Sequence, residues 1–421
     1  MIPLVARIAP AERKAALLAF AYFFLLLSSS AVLRPVRDAM GIASGVKSLP
    51  WLFTGTFLTM LAIAPLYAWL THRLPRRRFI PIVYRVIALT ALVFFALLAR
   101  KVSVVATASA FYIWVSVYNL FVVSVFWSFL ADVFRPEQAK RMYGVIAAGG
   151  TAGTIAGPFL TLELSRVFGA ASLLLVSAAM LELAVWCALG LDRWHRAQPV
   201  EASEAAPAAE PVSGNPWRGF WLVVRSPLLA AIAVHVLVWS LSSTVLYLEQ
   251  AKLVAAAGKG TDQHTAIFAR IDLWTQWTTL GLQLLVTAPL LRWAGVAVAL
   301  AVVPAITAIG AGTIAASATL PVLIVFQAIR RASQYAIERP ARETLFTSQS
   351  REVRYRSKNF IDTVVVRGGD MLSAWADTGL RAIGLGFVTM AAALVPLSLA
   401  WTALAVWIGR GGTWRRTTTT D

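Results

Sequence analysis

An all-α integral membrane protein with about twelve transmembrane helices is the fold class this sequence predicts, and three observations predict it. The composition is 58% hydrophobic, with a mean hydropathy of +0.70 and only 14% charged residues, against about a quarter charged in ordinary soluble domains. Near-continuous apolar runs recur along the chain, among them 17–33, 49–70, 80–99, 104–131 and 388–408, each close to the roughly 20 residues that cross a hydrocarbon core. The basic residues behind a formal net charge of +18 fall mostly in short segments between those runs. In a soluble chain that charge would point to nucleic acid. Here it follows the rule that Lys and Arg hold loops on the cytoplasmic side, so a lipid bilayer is the expected partner and nucleic acid is not.

The cores of the helices read as 15–33, 49–70, 80–99, 104–131, 142–165, 170–191, 227–248, 266–291, 294–316, 320–339, 360–383 and 386–408. Basic clusters follow helices two, four, six, ten and twelve, among them Arg73 with Arg76, Arg77 and Arg78; Arg135 with Lys140 and Arg141; Arg351, Arg354, Arg356 and Lys358; and Arg410, Arg415 and Arg416. The opposite side keeps scattered cations such as Arg100, Lys101, Arg166 and Lys259. That bias predicts both termini in the cytoplasm, and a bacterial inner membrane is the expected location. The first run lacks a small-residue cleavage site, which predicts a retained helix and not a signal peptide. Cys187 is the single cysteine, so neither an intrachain disulfide nor a cysteine metal site is available.

Between the sixth and seventh helices, residues 193–216 carry the Ala/Glu/Pro-rich stretch AQPVEASEAAPAAEPVSGNP, which lacks apolar periodicity and reads as a cytoplasmic linker. It divides the chain into halves of six helices, 1–192 and 217–421. The halves echo each other: each has its longest charged segment after its fourth helix, ADVFRPEQAKR and TSQSREVRYRSK, and then a Gly-Gly pair, Gly149-Gly150 and Gly368-Gly369. This arrangement resembles the major facilitator superfamily, which implies a substrate site near the midplane between the halves. The loop HRLPRRR is similar to that superfamily's basic loop motif, with His72 where an Asp is usual.

An ionisable residue deep in a span is expensive and marks function by default. At 100° per residue, Ser30, Arg34 and Arg37 share a face of the first helix, with Asp38 beside them. His235, Trp239, Ser242 and Glu249 share one on the seventh, and Asp272, Gln276, Thr279 and Gln283 one on the eighth. The tenth carries Arg331, Glu338 and Arg342, and the eleventh Asp362, Asp370 and Asp377 with Arg367 at the margin. Helices that are otherwise apolar can satisfy such stripes by pairing them or by facing a watery interior. The candidate substrate-binding set is Arg34, Arg37, Asp38, Asn119, His235, Glu249, Lys252, Asp272, Arg331, Glu338, Arg367 and Asp370; Arg76, Arg77, Glu137, Lys140 and Arg141 are candidate gating residues in the cytoplasmic loops. Gly149, Gly153 and Gly157 recur every fourth residue, a spacing that lets two helix backbones approach closely.

No Walker-type phosphate loop, HExxH, GxSxG or Cys/His cluster occurs, so no cofactor, metal site or enzymatic activity is expected. His72, His195, His235 and His264 are dispersed.

Some segments resemble the ATP/ADP translocases, the nucleotide carriers of plastids and intracellular bacteria. FWSFLADVFRPEQAKRMYGVIAAGGTAGTIAG at 126–157 is similar to that family's Phe-Trp helix end, basic-aromatic loop and Gly/Ala-rich fifth helix. LRPVRDAMG at 33–41 resembles its Leu-Arg-x-x-Lys-Asp pattern, with Arg37 where Lys is usual. LYLEQAKL at 246–253 resembles its seventh-helix Glu followed by Lys, with a spacing of three where four is common. The resemblance implies exchange of ATP for ADP and matches Arg37, Glu249 and Lys252 to the family's charged positions. Arg331 and Arg367 join them from the stripes alone. The expectation is a monomeric secondary transporter of an organic anion such as a nucleotide. A proton-coupled transporter of an unrelated solute and a non-transporting sensor or subunit remain open.

Overall fold

The computed structural model describes residues 9–73, 76–198, 217–317 and 319–411; most of the predicted linker therefore lies outside the described residues. What is described is almost entirely helical, in twelve rods of membrane length that bear out the predicted count. Spans one to six are Pro10–Ala43, Leu49–Arg73, Arg76–Ala99, Val104–Val133, Pro136–Phe168 and Leu173–Arg196. A short helix, Trp217–Arg225, precedes span seven, Pro227–Ala257. Span nine is Gly295–Ala316 and span twelve Phe387–Gly409.

Spans eight, ten and eleven are built differently. Each contains one π turn: Gln283–Thr287 between Gly260–Leu282 and Ala288–Trp293, Gln334–Glu338 between Leu320–Ser333 and Arg339–Leu345, and Ile361–Val365 between Arg351–Phe360 and Val366–Ala382. Eight of the rods are long and apolar enough to cross a membrane by length and composition. These three are not among them, because charges and π turns interrupt their apolar runs, and of span four only Val104–Asn119 counts, as a shorter apolar helix. Outward-facing side chains on the apolar rods are large and greasy, such as Leu89, Trp186 and Ile309. A rod surrounded by lipid tails needs that surface, since no water is present to solvate polar groups.

The described chain forms two compact units. One comprises residues 1–48, 58–210 and 258–273, the other 49–57, 211–257 and 274–421. In the N-terminal unit span one is central and packs on spans four, five and six. The predicted glycine stripe is what allows this. A Cβ on Gly149 would sit 2.5 Å from the Phe20 carbonyl oxygen, and one on Gly153 2.5 Å from that of Phe24, so only glycine fits while the backbones touch. Ser28 Oγ then donates to the Gly153 carbonyl and Thr161 Oγ1 to that of Val32. Deeper in the unit Ser29, Tyr118 and Ser177 join by 2.7 Å hydroxyl contacts. The start of span eight belongs here through Asp262, whose Oδ1 accepts the Ala170 N–H at 2.7 Å.

The C-terminal unit is held by a core around Ile232, Val236, Leu300, Ile337, Ile361 and Ile408. The first turns of span two belong to it: Trp375 Nε1 donates to Thr54 Oγ1 at 3.0 Å, and Trp51 packs edge-on against Trp375.

Candidate functional site

The N-terminal unit carries few ionisable groups inside. Arg37 donates from Nε and Nη2 to Asp38 Oδ1 at 2.9 and 2.6 Å and lies over the Tyr112 ring at 5.2 Å. A cation over an aromatic face gains electrostatically when partly desolvated. Arg34 is different: its Nε is buried without a hydrogen-bond partner, and no carboxylate of the described residues pairs with it. Asn119 Oδ1 is likewise buried and unsatisfied. Leaving such a group unmade costs about 1–3 kcal/mol and more when it is charged. Asp272 is buried and groups with this unit.

Of the predicted gating residues, Arg141 donates to Glu12 Oε1 at 2.7 Å, with Gln138 also on that oxygen. The contact ties the start of span five to the start of span one. Glu137 is exposed. The side chains of Arg76, Arg77 and Lys140 lie outside the described residues.

The C-terminal unit has a dense polar seam along span seven, with span ten on one side and span eleven on the other. Toward span ten, His235 is fully buried. Its Nδ1 accepts from Trp401 Nε1 at 2.9 Å, and its Nε2 stands 3.3 Å from Glu338 Oε1. An indole nitrogen is a donor only, so Nδ1 must be the acceptor and the imidazole proton sits on Nε2, facing the carboxylate. Glu338 also faces Arg342 Nε at 3.6 Å, and Arg342 Nη1 lies 3.3 Å from Asp362 Oδ1. Glu338 and Asp362 each occupy a π turn. Thr287, in the third π turn, donates to the Ala336 carbonyl at 2.8 Å and so satisfies an acceptor in the second.

Two turns further along the same seam, Arg330 is 1% exposed. Its donors reach only neutral oxygens: Thr307 Oγ1 at 2.9 Å, Ser243 Oγ at 3.0 Å, Ser242 Oγ at 2.6 Å and the Trp239 carbonyl at 3.5 Å. Gln327 then bonds Gln250.

Toward span eleven, Asp370 Oδ1 lies 2.6 Å from Ser240 Oγ and 3.0 Å from Thr244 Oγ1, while Arg367 Nη1 reaches Oδ2 at 3.2 Å. Gly369 permits this approach, since a Cβ there would lie 2.8 Å from Ser240 Oγ. At the far end of span seven, Glu249, Lys252, Asp377 and Arg381 form a balanced four-charge cluster: Arg381 bonds both carboxylates at 2.9 Å, and Lys252 lies 3.7 and 3.6 Å from them.

Of the predicted residues, the structure thus joins Arg37 with Asp38, His235 with Glu338, Glu249 with Lys252, and Arg367 with Asp370. Arg331 is only half buried; its neighbour Arg330 takes the deep position that the stripe reading gave to Arg331. Arg330, Asp377, Arg381, Ser240, Thr244 and Trp401 were not among the predicted site residues.

No family model matches the sequence, and no curated protein does. Solved structures match over nearly the whole chain. The fold is major-facilitator-like. A bacterial homologue of the iron transporter ferroportin aligns with a TM-score of 0.62 at 13% identity, over 96% of this chain and 99% of that one. A variant of the nucleoside transporter NupG aligns at 0.57 and 14% identity, over 94% and 98%. A bacterial homologue of the human lysosomal transporter Spinster aligns at 0.56 and 14%, over 97% and 95%. This protein is a multi-pass membrane protein with that architecture.

Proposed function

We propose that the protein is a secondary transporter of an organic anion, with a nucleotide as the sharpest candidate, working by alternating access of its two six-helix halves. The observation that carries this reading is two arginines, the fully buried Arg330 and the half-buried Arg34 with its Nε buried, that form no ion pair with a carboxylate of the described residues. A buried charge inside a membrane protein is costly unless a partner compensates it, and an anionic substrate is such a partner. Guanidinium forks also match phosphate and carboxylate oxygens bidentately. The shared fold with solved transporters, and the resemblance at 33–41, 126–157 and 246–253 to nucleotide carriers, support the same reading. The bias of the basic loop clusters favours cytoplasmic termini and supports a bacterial inner membrane as the location.

A second reading, a proton-coupled transporter of an unrelated solute, draws on the acids of the C-terminal seam, which include the balanced Glu249–Lys252–Asp377–Arg381 cluster. A thermal-shift screen separates the two, because a ligand that binds the native state raises its apparent stability. ATP, ADP and phosphorylated metabolites are expected to raise the melting temperature, adenosine is not, and R34A is expected to weaken the response. A screen in which no organic anion stabilises the wild-type protein would count against the anion reading.

A further inference from the structure

Ser240 Oγ lies 2.8 Å from the Val366 carbonyl oxygen as well as 2.6 Å from Asp370 Oδ1. A hydroxyl owns one proton. The carbonyl can only accept, and so can an ionised carboxylate, so with Asp370 charged one of these two short contacts has no proton in it. With Asp370 protonated every contact is filled: Oδ1–H donates to Ser240 Oγ, Ser240 passes its own proton to Val366 O, and Thr244 still donates to a remaining lone pair of Oδ1. The two states differ by one proton and one hydroxyl rotation, with no heavy atom displaced.

We infer that Asp370, with Ser240, Thr244 and the Val366 carbonyl, is a proton-binding site that switches Arg367 between an internal ion pair and an anion-accepting state. Arg367 pairs with Asp370 Oδ2 at 3.2 Å, yet its side chain is 32% exposed, against 13% for Asp370. Proton uptake removes the charge that holds the guanidinium, and the exposed cation is then available to a negatively charged substrate. Proton and anion thereby favour each other's binding, as linkage requires.

The charged surroundings are consistent with a single-proton switch. From its own helix Asp370 meets Arg367. Span seven presents the neutral Ser240 and Thr244, while its ionisable groups are engaged elsewhere, His235 with Trp401 and Glu338, and Glu249 with Arg381 and Lys252. The π turn before it carries Asp362, which faces Arg342. The packed segment 49–57 contains no ionisable residue. The release of Arg367 to substrate rests on the anion reading above; the proton site does not.

Infrared difference spectroscopy on the full-length protein in lipid nanodiscs, acidified stepwise without substrate, tests the site. A protonated carboxylic acid has a carbonyl stretch that ionised carboxylates lack. The wild type, D370E and D362N are expected to gain such a band on acidification, and D370N to lose it while keeping native size-exclusion behaviour. A wild type without a titrating acid band, or a D370N protein with the wild-type band, would overturn the assignment. If D370N fails to fold, S240A decides: losing the hydroxyl that accepts Oδ1–H is expected to displace the band, and an unshifted band overturns the site. Because no substrate is present, a failed anion screen leaves this result readable on its own.

Discussion

The two units solve the problem of polar groups in a membrane in opposite ways. In the N-terminal unit, helices are regular and close-packed, with glycines against backbone and hydroxyls donating to carbonyls. In the C-terminal unit, every π turn of the described residues occurs, in spans eight, ten and eleven, and acids and bases form a seam along span seven. A π turn gives up regular i→i+4 bonding and is common at functional sites. The contrast teaches that one unit is built for rigidity and the other holds groups able to exchange partners. Ion pairs with spare acceptors have alternative arrangements; a glycine interface has one.

Three substitutions probe that contrast, from the largest expected effect to the smallest. G153L should remove folded protein altogether. The side chain would have to displace the span one backbone at Phe24, so the loss exceeds the about 1–3 kcal/mol usual for overpacking; size-exclusion recovery after solubilisation reads it. E338A leaves His235 and Arg342 facing each other in a dry site, and removing one partner of a buried pair costs about 3–5 kcal/mol. Unfolding in detergent should show a large fall in stability, and a near-neutral result would mean the seam is not coupled as described. T287V removes one hydroxyl bond between two π turns and is expected to cost about 1 kcal/mol. If T287V lowers stability as much as E338A does, the π turns carry the seam more than its charges do.

Much of the fold was legible in the sequence because the rules for it are local. Apolar length gives spans, and Gly149, Gly153 and Gly157 give a close helix contact. The site was less legible, and span ten shows why. A regular helix places residue 331 on the face of Glu338, seven positions away. The π turn at Gln334–Glu338 inserts one extra residue between them, which rotates everything before it by about 100° and brings Arg330 to that face instead. Nothing in composition announces a π turn, so the stripe reading put at depth an arginine one position from the one the fold buries. Span eleven holds the same device. The turn at Ile361–Val365 contains Asp362 and precedes Asp370; Asp370 is buried and Asp362 half-buried. Ser240 and Thr244 look like ordinary helix hydroxyls until span eleven is set against them, because their significance lies in long-range contacts with Asp370.

The proposal that this protein moves an organic anion on Arg34 and Arg330, cations without an ion-pair partner among the described residues, is tested most directly in proteoliposomes. Purified protein loaded with internal ADP should take up labelled ATP saturably, and R34A and R330Q should each lose that uptake while still inserting and running as native protein. Saturable uptake unchanged in both variants, or no uptake of ATP or any other organic anion by the wild type, would contradict it.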